Sequence, residues 1–201
     1  MKRTVTVLLV AALLLSITTI ASAEIKGDPI MQYSGPILIT NAGQGPGGKM
    51  ARLLVTQTKT LVLDTDFFYN AEPTAEVLDE RPYSALVVVI GSTDKGLGAS
   101  GITIDDEIAR LEKMVAHAEE IELPIIAVLL EKDKRADVKT NANERCIDLI
   151  CPKSQWMIVV AEGNLDGRFD KLKEEFGIPL TVLDNSLDFT KLAIEAFLPA
   201  Q

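Results

Sequence analysis

Between Asn41 and Gly48 the chain reads Asn-Ala-Gly-Gln-Gly-Pro-Gly-Gly, with Lys49 next. Four glycines in eight residues let a backbone approach a ligand closely and turn its N–H groups outward. At the start of a helix, such groups suit a phosphate or a carboxylate. Gly43, Gly48 and Lys49 keep the spacing of a phosphate-binding P-loop, but Met50 stands where that loop places the magnesium-holding Ser or Thr. The expectation is a polar contact turn, formed by Asn41, Gly43, Gln44 and Gly45, rather than a nucleotide site.

Two further segments have similar composition. Ser92 to Gly101 holds Ser92, Lys95, Gly96 and Gly98, and ten residues is long for a strand-to-helix connection. Ala161 to Gly167 supplies Glu162, Asn164 and Asp166. Lys49, Lys134 and Arg135 are the cations that could meet an anion, and Lys95 could join the last two in one patch. Asp94 with Glu162 or Asp166 is the candidate carboxylate pair, although no spacing selects it. Asp105, Asp106 and Glu107 follow Thr103, where acids complement a helix N-terminus without any ligand.

Other chemistries lack parts. His117 is the single histidine, and no Gly-x-Ser-x-Gly elbow is present, so a Ser-His-Asp site is not expected. One histidine is too few for zinc catalysis on two or three. Cys146 and Cys151 would point about 140° apart on one helix, which forbids a bridge unless Pro152 frays the helix end. They read best as small apolar side chains. No metal and no cofactor is expected. Twenty basic against 29 acidic residues, a net charge of −9 and 5% aromatics argue against nucleic acid.

The segments that must position these turns are near-continuous apolar runs: Pro36–Thr40, Ala85–Gly91, Pro124–Leu130, Gln155–Val160 and, weaker, Ile178–Leu183. Asp66–Asn70 is a further candidate. Runs of this kind are strands covered on both faces. Helices are expected over Lys49–Val62, Ile104–Ile121, Ala142–Cys151, Asp166–Phe176 and Leu187–Phe197. In the second, Ile104, Ile108, Leu111, Val115 and Ala118 recur at helical spacing, with Thr103 and Asp106 as a capping box. Alternating strands and helices predict one doubly wound α/β domain, flavodoxin- or Rossmann-like, with a mostly parallel sheet of five or six strands and helices on both faces. Ligands of such sheets bind beyond the carboxyl ends of the strands, at the switch in strand order. The three polar turns occupy those ends.

Residues 1–23 read as a signal peptide. Lys2 and Arg3 precede an apolar stretch, Val5 to Ile20, that is short for a membrane span, and Ala21-Ser22-Ala23 gives a cleavage site. Removal leaves 178 residues and, without Lys2 and Arg3, a net charge of −11. The expected mature protein is secreted or otherwise extracytoplasmic, with no membrane insertion. Residues 24–34 are expected to be flexible and 35–201 to form the domain.

Lys95-Gly96-Leu97-Gly98-Ala99-Ser100-Gly101-Ile102 and Gly163-Asn164-Leu165-Asp166-Gly167-Arg168-Phe169 resemble two turns of an uncharacterised family of exported bacterial α/β domains, a domain of unknown function. The likeness runs from about Gly35 to the C-terminus. The first turn departs, with Asn41 in place of a usual serine and Gly45-Pro46 in place of a Ser-containing turn. Leu130 to Asp133 also lacks a Gly-Gly step before Lys134 and Arg135. The resemblance implies an exported domain and supplies no activity. From the residues, the leading expectation is a binding domain for a polar or anionic small molecule at the strand ends. The alternatives are a carboxylate- or metal-dependent hydrolase or transferase, and an envelope interaction module that could be a homodimer.

Overall fold

The computed structural model describes residues 25–131 and 141–198. The 1–23 leader and the Lys134, Arg135 pair lie outside the described residues. The strands are β1 (Lys26–Gly27), β2 (Tyr33–Ser34), β3 (Ile37–Ala42), β4 (Phe67–Tyr69), β5 (Ala85–Ile90), β6 (Ile125–Leu129), β7 (Trp156–Val160), β8 (Leu180–Leu183) and β9 (Phe197–Leu198). The helices are α1 (Gly47–Gln57), α2 (Asp94–Ala99), α3 (Ile104–Glu120), α4 (Ala142–Ile150), α5 (Arg168–Phe176) and α6 (Phe189–Ala196). The main sheet runs β1-β8-β7-β6-β5-β3-β4. Strands β3 to β8 are parallel, and β1 joins β8 antiparallel. The α/β reading holds, with a sheet one strand wider than expected.

The apolar runs serve two cores at once because successive strand side chains point to opposite faces. Leu86, Val88 and Ile90 pack with Leu111 and Met114 of α3, Cys146 and Ile147 of α4, and Phe169 of α5. Ala85, Val87 and Val89 pack on the other side with Leu54 of α1 and Phe189 and Leu192 of α6. Parallel strands need crossovers, and α1, α3, α4 and α5 lie in the crossovers of the main sheet, whereas α6 follows its last strand. Thr103 and Asp106 form the expected capping box at α3.

Three sequence readings take specific form in the fold. Residues 25–34, expected to be flexible, carry two short strand pairings. Lys26 and Gly27 pair with Val182 and Thr181, and Tyr33 and Ser34 pair with Phe197 and Leu198. Asp28 accepts hydrogen bonds from Lys173 Nζ and the Leu180 amide, and these donors hold its carboxyl below the usual range. Two-residue strands leave no periodicity to read. The ten-residue connection after β5 is also not open loop: Thr93 caps the short helix α2 by accepting from the Gly96 amide. Cys146 and Cys151 are buried and unbridged, and burial pushes the Cys146 thiol up to about 12.

His117, on the outer part of α3, ties that helix to the 3-10 turn at Ala75–Asp79. Its Nε2 lies 2.9 Å from Asp79 Oδ2, and Nδ1 lies 3.4 Å from Glu120 Oε2. The Asp79 carboxylate, helped by Glu120, raises the imidazole pKa above its ordinary 6.5. A raised folded value means that the clasp contributes fully below the unfolded pKa of about 6.5 and is lost as pH rises through the folded value. Urea unfolding across pH 5.5 to 8.5 should therefore show stability falling through that window. His117→Gln should flatten the fall.

Candidate functional site

Because β3 and β5–β8 run in parallel, the turns that follow them emerge along one rim. The strand order reverses between β3 and β5, which is where a crevice is expected. There the two turns meet backbone to backbone. A Cβ on Gly43 would collide with Ser92, and one on Gly45 with the Gly91 carbonyl. A Cβ on Gly96 would come within 2.6 Å of the Gln44 carbonyl oxygen. Gly43 adopts φ +94°, a left-handed conformation that side chains disfavour. These glycines allow the chain to pack closely on itself.

The N–H of Gly43 is already engaged. It donates to Glu107 Oε1 at 2.7 Å, across 64 residues of sequence. Glu107 is fully buried and pairs twice with Arg110, through Nε at 3.0 Å and NH2 at 2.7 Å. Arg110 also donates to the carbonyls of Asn41 and Pro73. Glu107 is thus more than a complement to the dipole of α3: it fixes the end of β3.

A second carboxylate occupies the glycine-rich cradle. Glu131 is buried at the end of β6, and its Oε1 lies 2.6 Å from where a Cβ on Gly91 would sit. The corresponding distances are 2.9 Å for Gly47 and 3.1 Å for Gly45. The start of α1, which carries no capping side chain, therefore has an anion from its own chain beside it. That is the electrostatic arrangement a helix N-terminus favours.

The remaining sequence candidates are distributed as follows. Asn41 is buried, and its Oδ1 occupies the space a Cβ on Gly48 would need. Burial pushes the Tyr69 phenol up, and the Asn41 amide beside it offsets part of that shift. The Gln44 carboxamide oxygen accepts from the Ser100 hydroxyl at 3.2 Å. The Ser92 amide donates to Asn143 Oδ1 at 3.0 Å. Asn164 accepts from the Phe169 amide and donates to Asp170, and Asp166 accepts from the Arg168 amide, so both organise the entry to α5. Lys49, Asp94, Lys95 and Gly98 are exposed.

A cleft of about 280 Å³ opens on the rim two strands from the switch point. It is lined by Leu130 and Glu131 after β6, Val160 at the end of β7 and Glu162 after it, Asn185 and Ser186 after β8, and Met50 of α1. Glu162 is the sequence candidate that lines it. Asn41, Lys95 and Asn164, one from each of the three polar turns, do not line this cleft. Asn185 and Ser186 escaped the sequence reading, although Asn185 and Asp188 form a capping box that marks an ordered turn. Glu131 stood in a charged run with no visible sign that it would fold inward. Among the described residues, no three His, Cys, Asp or Glu side chains converge as a metal site.

Two substitutions test this architecture. Glu107→Gln should cost about 3 kcal/mol in chemical denaturation, because it leaves Arg110 largely buried beside a lost charge. Combining it with Arg110→Met should recover most of that loss. Gly48→Ala would gain roughly 1 kcal/mol from helix propensity alone. The collision with Asn41 should reverse the sign, giving a net loss of about 1–3 kcal/mol that Asn41→Ala relieves.

Among solved structures, the chain is similar to AlinE4, an esterase of the SGNH-hydrolase family, at 14% identity over 82% of each chain with a TM-score of 0.33. A point mutant of that esterase aligns at 12% identity over 84% of this chain and 82% of that one, with a TM-score of 0.31. Scores of this size transfer no residue role. The comparison with curated proteins returns no match. Residues 34–197 match the model of a domain of unknown function, DUF6305, and the chain belongs to that family.

Proposed function

We propose that this domain is an extracytoplasmic binding protein for a small polar molecule bearing hydrogen-bond donors, held in the strand-end cleft. The carrying observation is a hollow at the carboxyl edge of a parallel sheet, with two carboxylates, Glu131 and Glu162, above the apolar side chains Met50, Leu130 and Val160. Each ionised carboxylate has about four acceptor positions, so existing partners still leave room for a ligand donor. The Ser186 hydroxyl adds a donor and acceptor at the same wall.

A donor-bearing ligand such as an amine or polyol suits these carboxylate acceptors, in place of the anion suggested by the glycine-rich turn. That turn already surrounds Glu131, and an added anion would meet the same carboxylate. The extracytoplasmic assignment rests on the residues of the 1–23 leader.

Thermal denaturation with saturating ethylamine, ethanolamine, glycerol, acetate and phosphate tests the reading. A ligand at one hundred times its dissociation constant adds about 2.7 kcal/mol of stability. Ethylamine or ethanolamine should raise the melting temperature, and Glu162→Gln should weaken binding roughly tenfold, as loss of a charged hydrogen bond does. Because Glu162 is exposed, the unliganded variant should melt with the parent. Stabilisation by acetate or phosphate alone, or by nothing in the panel, would remove the proposal.

A further inference from the structure

We propose that a second groove, on the α3 face of the sheet, binds a small zwitterion such as a free α-amino acid, with its carboxylate on Arg110 and Lys113 and its ammonium group on Asp106. The groove shares no lining residue with the strand-end cleft, so this inference goes beyond the reading above and does not depend on it.

A hollow of about 390 Å³ lies between Thr74, Ala75 and Glu76, which follow β4, and one stripe of α3, which follows β5. Strands β4 and β5 flank β3, so the groove sits beside the reversal in strand order, where ligands of parallel sheets bind. Its volume falls within the roughly 300–1,000 Å³ of small-molecule sites. The stripe consists of Asp106, Ala109, Arg110 and Lys113, whose spacing of three and four residues puts them on one side of the helix. Ala109 and Ala75 present only methyl groups to the space, which keeps it open.

The polar groups on these walls have unspent capacity. A guanidinium carries five N–H groups. Arg110 uses four of them, two on Glu107 and one each on the Asn41 and Pro73 carbonyls, and the fifth belongs to NH1. Lys113 is exposed and makes no hydrogen bond or ion pair among the described residues, although its charge acts on Glu76. Both Thr103 donors to the Asp106 side chain end on Oδ2, which leaves Oδ1 open.

Charge balance then selects the ligand. Glu107 already neutralises Arg110, so Arg110 offers a directed donor rather than a net charge. Of the remaining wall charges, Lys113 is positive while Asp106 and Glu76 are negative. A lone anion would meet two carboxylates, and a lone cation would meet Lys113. A molecule carrying both poles pairs each with its opposite. Asp106 and Arg110 stand about 6 Å apart along the helix axis, a gap that adjacent ammonium and carboxylate groups can bridge.

Calorimetry on the full chain with L-alanine, acetate and ethylamine tests this, in the parent and in Ala109→Leu, which fills the groove at nearly equal helix propensity. Binding that Ala109→Leu removes belongs to the groove. L-Alanine should show such binding. Acetate and ethylamine, with one pole each, should show it at least roughly tenfold more weakly, the loss expected for one charged hydrogen bond. Lys113→Gln should weaken L-alanine to a similar degree and melt with the parent. Absence of L-alanine binding, or binding that survives Ala109→Leu, would overturn the inference and leave the strand-end reading to its own test. Acetate or ethylamine matching L-alanine in the groove would overturn the zwitterion assignment.

Discussion

A buried ion pair sets the geometry of the rim. Glu107 and Arg110 lie one helical turn apart on α3, and Arg110 grips the carboxylate through two nitrogens. Removing a carboxylate from water costs several kcal/mol, and only close, complete pairing offsets that cost. Completion comes from distant backbone: the Gly43 amide donates to Glu107, and the Asn41 and Pro73 carbonyls accept from Arg110. The pair therefore cannot be satisfied unless β3, the segment before Ala75 and α3 reach their final positions together. A bidentate guanidinium has a fixed fork, so lysine at this position would not make the same three-way junction.

That junction ties the glycine-rich turn to the rest of the fold. With Gly43 drawn toward Glu107, the following residues pass against Gly91 and Ser92 at distances that admit no side chain. Glu131, two residues beyond β6, lies beside the start of α1. The sequence of the turn is that of a ligand cradle, and the fold uses it for internal contact. The same physical property, access to bare backbone, serves either purpose. Which purpose prevails depends on whether another part of the chain brings a carboxylate there.

The opposite end of the sheet is closed by the N-terminal segment. Asp28 joins Lys173 and the Leu180 amide, while Tyr33 and Ser34 pair beside Phe197 and Leu198. Both termini of the domain are thereby held against the α1 and α6 face, and β8 is covered at its outer side by β1. A covered edge resists pairing with other chains. The cleft lies between these fixed regions, where β6, β7 and β8 end beside α1.

Sequence alone determined the layers. Apolar runs bounded by turn residues fixed the central strands to within a residue or two, because a strand buried on both faces tolerates few polar positions. The capping pair Thr103 and Asp106 located the start of α3 by local hydrogen bonding that needs no tertiary partner. Short segments such as Lys26–Gly27 were beyond such reading, since two residues carry no period. Tertiary structure decided the fate of the polar groups. Glu107 looks like a solvated acid in the chain, and only the approach of Gly43 and Arg110 makes its burial favourable. The cleft arises in the same way, from residues 50, 131, 162 and 186 that share a wall only after the strands align. Local pattern encodes which surfaces are buried; long-range pairing decides which charges can be buried with them.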